Sequence, residues 1–195
     1  MTATTTTIPQ QRSSSRKPAK RDAALPRPGL WVIDPSTATV GFTGKASLLA
    51  PTVSARFTGV TGSVLVREDV AASEVDVEVD VTTMTSGNRA WDDLVSAVDP
   101  FGACSFPTAS YRSASVRWHG DRADVAGHLV LRGVTRAVPL TARHSVAADG
   151  ERLTLTAEGS LDRSEFGIRC DVPGADLLIP RRMTLQIAVE ASFTG

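Results

Sequence analysis

Residues Glu74-Val75-Asp76-Val77-Glu78-Val79-Asp80-Val81 alternate carboxylate and valine without interruption, and only a β-strand turns that order into one wet face and one dry face. A helical winding would scatter the same valines around the cylinder. The C-terminal segment repeats the pattern, with Leu185, Ile187, Val189, Ala191 and Phe193 on one side and Thr184, Gln186, Glu190 and Ser192 on the other. Further strands are expected over 38–43, 62–66, 108–117, 123–132, 137–146 and 152–161. Gly120-Asp121, Gly133 and Asp149-Gly150 separate them and supply the positive-φ positions of tight hairpins, so neighbouring strands should be antiparallel. One short helix is predicted, capped by Asn88, carrying Trp91, Leu94, Val95 and Val98 at spacings of three and four, and ended before Pro100. About eight strands and one inserted helix define an all-β chain, and closure into an antiparallel barrel removes the exposed edges of so long a meander.

The barrel does not use the whole chain. Residues 1–29 hold a threonine run, Ser13-Ser14-Ser15 and four prolines, with almost nothing apolar to bury, and are expected to be a disordered tail. That tail carries Arg12, Arg16, Lys17, Lys20, Arg21 and Arg27 against Asp22 alone, which leaves 15 basic and 20 acidic residues in the 30–195 domain of a chain that is neutral overall. An acidic domain lacks the positive surface from which phosphate contact draws its free energy, so no nucleic acid partner is expected, and any contact with anionic lipid would fall to the tail. No apolar run is long enough to span a bilayer as a helix, and the N-terminus lacks the apolar stretch of a secretory signal, so the expected location is the cytoplasm. In that compartment Cys104 and Cys170 are expected to be reduced.

Enzyme chemistry finds little to work with. His119, His128 and His144 show no metal-ligand spacing, although His128 and His144 could face each other across the Gly133 hairpin, and no metal is assigned. No Gly-x-Ser-x-Gly elbow is present; Asp162-Arg163-Ser164-Glu165 reads instead as a turn fixed by pairing of Asp162 with Arg163 or Arg169. The carboxylates of Glu74 and Asp76 lie on a solvated face and are poor candidates for a tuned acid and base. No cofactor is expected. A barrel of eight strands is just wide enough either to be filled by side chains or to hold a small ligand, and mainly Val, Leu and Ala liners leave both outcomes open.

Several segments resemble the YceI family of small lipocalin-like lipid binders. They are Gly127-His128-Leu129-Val130-Leu131-Arg132-Gly133-Val134-Thr135-Arg136-Ala137-Val138-Pro139-Leu140, Ala157-Glu158-Gly159-Ser160-Leu161-Asp162-Arg163-Ser164-Glu165-Phe166-Gly167-Ile168, Phe106-Pro107-Thr108-Ala109-Ser110-Tyr111-Arg112-Ser113 and the opening Trp31-Val32-Ile33-Asp34-Pro35. The resemblance implies a lumen that accommodates an extended isoprenoid, polyprenyl or quinone-like chain. Thr37, Ala46 and Asp93 stand where members of that family often carry histidine, so any role of those histidines does not transfer.

The residues expected to line the pocket are Phe42, Phe57, Trp91, Leu94, Phe101, Phe106, Tyr111, Leu129 and Phe166, with the helix of Trp91 and Leu94 as a lid and the Tyr111 hydroxyl available to a head group. The expected function is to bind, carry or sequester a long apolar lipid, with isoprenoid or quinone entering as ligand rather than cofactor. The alternatives are an enzyme acting on a bound lipid, with His128 or Glu165 facing the lumen, and a stress or interaction module with a filled barrel. A second copy of the chain, in a homodimer, is the other partner the reading allows.

Overall fold

The computed structural model describes residues 25–45, 52–169 and 180–195. The expected disorder of the tail up to residue 24, and the state of Cys170, lie outside the described residues. Among the described residues ten strand segments form one antiparallel sheet: β1 (Gly29–Ile33), β2 (Thr39–Gly44), β3 (Val53–Val66), β4 (Glu74–Thr85), β5 (Thr108–His119), β6 (Arg122–Leu131), β7 (Val134–Ala137), β8 (Leu140–Val146), β9 (Arg152–Asp162) and β10 (Arg182–Phe193). β1 and β2 both lie between β10 and β3, and β7 and β8 both pair with β6. Each of these pairs is one interrupted stave, so the sheet closes as an eight-stave barrel when β9 meets β10.

Local chemistry accounts for the interruptions. The 137–146 strand expected from the sequence is cut at Pro139, which has no N–H for the ladder, and the Val138 N–H turns inward to the Gly127 carbonyl at 2.9 Å. Arg132 joins Gly133 at positive φ, 54° and 72°, giving the two left-handed residues of a tight hairpin between β6 and β7. β3 begins nine residues earlier than its expected start at 62 and is bent at Thr58, where Thr83 Oγ1 accepts the N–H groups of both Thr58 and Gly59.

The two ends of the barrel differ. At the end holding Gly29, Val66 and Phe193, the interior is solid: Trp31, Val60 and Leu153 are fully buried, and Trp31 meets Phe193 edge-on at 5.2 Å. Arg27, just before β1, lies 3.5 Å over the Phe193 ring and pairs with Glu151 at 2.7 Å. The opposite end is crossed by α1 (Arg89–Val98), which the sequence places correctly: Asn88 caps it by accepting the Trp91 N–H, and Asp99 ends it in the left-handed conformation.

Candidate functional site

Period-two alternation sends Val75, Val77, Val79 and Val81 of β4 to the barrel interior, yet only Val81 is fully buried. The same holds for Leu155 and Ala157 of β9, Leu185 and Ile187 of β10, Ala142 of β8 and Leu129 of β6. These inward apolar side chains pack only in part against the barrel core, and what remains uncovered borders a lumen. Its cavity measures about 160 Å³ and is lined by thirty residues, of which Ser73, Ser110 and Tyr111 alone carry polar side-chain groups apart from the Trp118 indole. It follows the valine row of β4 from Val75 to Val81, roughly 20 Å at about 3.3 Å per residue.

The open end is ringed by aromatics. Phe42 of β2, Phe57 of β3 and Phe101, from the segment after α1, stand 5.6 to 6.1 Å apart, the Phe57–Phe101 contact edge-on. A smaller recess of about 40 Å³ lies between these rings and α1; Trp91, Val95, Arg163 and Arg169 line it, and Phe42, Phe101, Ile168 and Met183 belong to both spaces. The recess and the lumen are thus neighbours that share an aromatic wall.

Of the nine candidate liners, Phe42, Phe57, Phe101, Tyr111 and Leu129 bound the lumen, and Trp91 bounds the recess. Leu94 lies on α1, but its side chain falls outside the described ones. Phe106 is on the outside, 45% exposed, with its ring against the Gly133 turn. Phe166 is buried in the core beneath the 163–166 turn and does not reach the lumen. The Tyr111 hydroxyl is not offered to a head group either: it donates to the Val138 carbonyl at 3.1 Å, and burial pushes its pKa up to about 12. The aliphatic liners of β4, β9 and β10 were absent from the candidate list, although the dry face of each alternating segment contained them.

Several polar expectations are corrected. His128 pairs in register with Ala137 and faces solvent, whereas His144 points into the barrel, 5% exposed, with Trp118 edge-on at 4.8 Å; the two do not face each other. β8 alternates Leu140, Ala142, His144 and Val146 inward, which puts His144 on the dry face. Asp162 pairs with Arg181 at 2.8 Å, a residue distant in sequence, while its other oxygen accepts the Ser164 N–H and hydroxyl and holds the turn. Those Ser164 hydrogen bonds keep its carboxyl below the usual range. Among the described residues no three metal-ligating side chains converge.

A closed antiparallel barrel of eight staves around an apolar lumen, solid at one end and crossed by a helix at the other, defines the lipocalin-like architecture. Within it, the chain belongs to the YceI-like domain family, whose model matches residues 31–191. Protein YceI of Escherichia coli O157:H7 is 32% identical over 117 residues, 56% of this chain and 61% of that protein, and its Salmonella arizonae counterpart is 29% identical over 124 residues. The chain thus spans somewhat under two thirds of the curated relatives it matches. In fold it is similar to Burkholderia cenocepacia BcnA, with a TM-score of 0.71 at 20% identity over 82% of this chain and 99% of that one. It is also similar to a polyisoprenoid binding domain from Saccharophagus degradans implicated in plant cell wall breakdown, with a TM-score of 0.67 at 12% identity over 84% and 98%. Among the described residues no helix is long and apolar enough to cross a membrane.

Proposed function

We propose that this protein binds and carries or sequesters a long apolar lipid, of isoprenoid or quinone-like kind, along its barrel axis, without catalysing a reaction on it. The observation that carries this reading is the row of inward, half-exposed Val75, Val77 and Val79, continued by Leu155, Leu185 and Ile187. Apolar surface held open inside a fold costs free energy unless something covers it, and a hydrocarbon recovers about 0.8 kcal/mol per buried methylene. At about 160 Å³ the cavity is of the size that accepts a single ring-sized apolar group, so a longer chain enters by parting the facing valines and leucines. The polyisoprenoid-binding description of the Saccharophagus degradans domain supports the ligand class.

The enzyme alternative loses its named groups. His128 and Glu165 both face solvent, and Tyr111, the one titratable side chain among the described residues that line the lumen, has its hydroxyl bound to a main-chain carbonyl. Native mass spectrometry of the freshly purified full chain, before and after organic extraction, tests the proposal. A lipid mass lost on extraction and restored by a polyprenyl probe is the expected result; absence of both the endogenous mass and the uptake would refute it.

A further inference from the structure

The valine row of β4 begins with a hydroxyl. Ser73 shares the parity of Val75, Val77, Val79 and Val81, so alternation turns it inward, and it lines the lumen while only 3% exposed. It stands at the end remote from α1, because β4 runs from there toward the helix. Its main-chain N–H and the Trp118 indole N–H converge on the Val70 carbonyl, at 3.3 and 3.2 Å. The Ser73 side-chain oxygen accepts the Arg67 N–H at 3.2 Å, and among the described residues nothing accepts the hydroxyl's own proton. The other polar groups of the lumen are engaged or turned away. Tyr111 gives its proton to the Val138 carbonyl and Trp118 gives its own to Val70, while Ser110, between inward Ala109 and Tyr111, lies on the outer face of β5 opposite Glu78. Among the described residues that line the lumen, Ser73 therefore holds the one uncommitted polar proton. A lone hydroxyl among apolar side chains gives a trapped water too few partners, whereas a ligand oxygen that reaches it relieves the cost of a buried, unused donor.

We infer that the ligand enters head first: a neutral, carbonyl-bearing ring sits at the inner end with one oxygen accepting from the Ser73 hydroxyl, and its apolar chain trails along the valine row toward α1. This rests on the lipid-binding proposal and fixes the head group and the direction of the lipid. An anionic head does not suit that position, since none of the described residues lining the lumen is charged and a desolvated anion would meet no counter-charge there. A plain hydrocarbon end satisfies the walls but leaves the hydroxyl proton unused, whereas a ring carbonyl satisfies both. Size agrees: the cavity of about 160 Å³ takes a ring-sized group as it stands, and only the thinner chain has to part facing side chains.

The test compares decylbenzoquinone with decylbenzene, a six-membered ring and chain with and without the carbonyl oxygens, each displacing a fluorescent polyprenyl probe from the full chain. Ser73→Ala is expected to weaken the quinone about tenfold, as for one hydrogen bond to a desolvated acceptor, and to change decylbenzene by less than about twofold. In the native protein the infrared carbonyl band of the bound quinone should fall below its position in a hydrocarbon solvent. Ser73→Ala should return the band to that position, while Ser73→Thr, which keeps the hydroxyl, should preserve both the affinity and the shift. An unshifted band in the native protein overturns the inference even if neither variant folds. Equal losses for the two probes in Ser73→Ala would make Ser73 a brace for the turn at Arg67 and nothing more, and would equally overturn it. Unchanged quinone affinity in Ser73→Ala would put the head away from Ser73. All three results leave lipid binding intact. Failure of both probes to bind the native protein would instead remove the lipid proposal and this inference with it.

Discussion

The ring of Tyr111 on β5 occupies the space that a side chain on Gly127 of β6 would fill: a Cβ there would lie 2.5 Å from the tyrosine Cζ and 2.6 Å from the Arg112 carbonyl oxygen. Because Gly127 is bare, Tyr111 crosses β6 and donates to the carbonyl of Val138, while the Val138 N–H donates back to the Gly127 carbonyl. Both bonds act at the point where Pro139 interrupts the stave formed by β7 and β8. The glycine, the tyrosine and the proline are thus one device that keeps the barrel wall closed at its break.

Gly127→Ala should therefore destabilise the protein by about 1–3 kcal/mol, the usual cost of overpacking a site that cannot relax, because one of the two clashing partners is main chain. Tyr111→Phe should cost about 1 kcal/mol through the lost hydrogen bond. Urea unfolding of the two variants measures both, and a Gly127→Ala protein as stable as the native one would refute the arrangement.

Tyr111 is the only tyrosine in the chain, so a phenolate titration by ultraviolet absorbance reports on it alone. Burial raises its pKa to about 12 in the folded protein, above the ordinary value of 10.0. The fold therefore holds the phenol proton more tightly than the unfolded chain does. This contribution to stability is complete below pH 10 and is lost as pH rises toward 12. The expected result is a titration midpoint well above that of free tyrosine, with Tyr111→Phe abolishing the alkaline loss of stability assigned to this group.

Much of this barrel was legible in the sequence, and the reason is periodicity. The faces of β4 and β10 follow from alternation alone, and the α1 cap follows from Asn88 ahead of an apolar three-four pattern. The lumen was less legible. Ranking candidates by aromatic size selected Phe106, which lies outside on the Gly133 turn, and Phe166, which fills the core under a neighbouring turn. It passed over Leu155, Leu185 and Ile187, because a cavity forms where inward side chains fail to meet, and barrel radius depends on strand number and stagger rather than on any local pattern. The pairing of Asp162 with Arg181 was hidden for a related reason: β9 and β10 bring the two together in space across a long sequence gap.

Val79 faces the lumen near the middle of the valine row and is only half-buried. Val79→Trp should fill the axis there, lowering uptake of a polyprenyl probe by more than tenfold while leaving the melting temperature unchanged or higher, since the new ring covers apolar surface already exposed to the cavity. A probe that binds this variant as well as the native protein would have its site elsewhere.

α1 is held to the barrel at its first turn by one carboxylate. Asp92 accepts from the Ser86 N–H at 2.8 Å and the Ser86 hydroxyl at 2.6 Å with one oxygen, and from the Thr85 hydroxyl at 2.8 Å with the other. Those bonds to Ser86 hold its pKa below the usual carboxylate range, so the tether is intact at neutral pH and weakens as pH falls through that lowered value. The helix they anchor carries Trp91 and Val95 over the recess, which on the proposed function is the exit for a bound chain. Asp92→Ala should therefore speed ligand dissociation severalfold while changing global stability by only about 1 kcal/mol, because the groups it releases are near the surface and can bond to water. Stopped-flow transfer of a fluorescent polyprenyl probe to acceptor vesicles measures the first quantity and urea unfolding the second. If dissociation is unaltered in the variant, the ligand leaves by a route that does not pass beneath α1, and the helix is a structural cover rather than a lid.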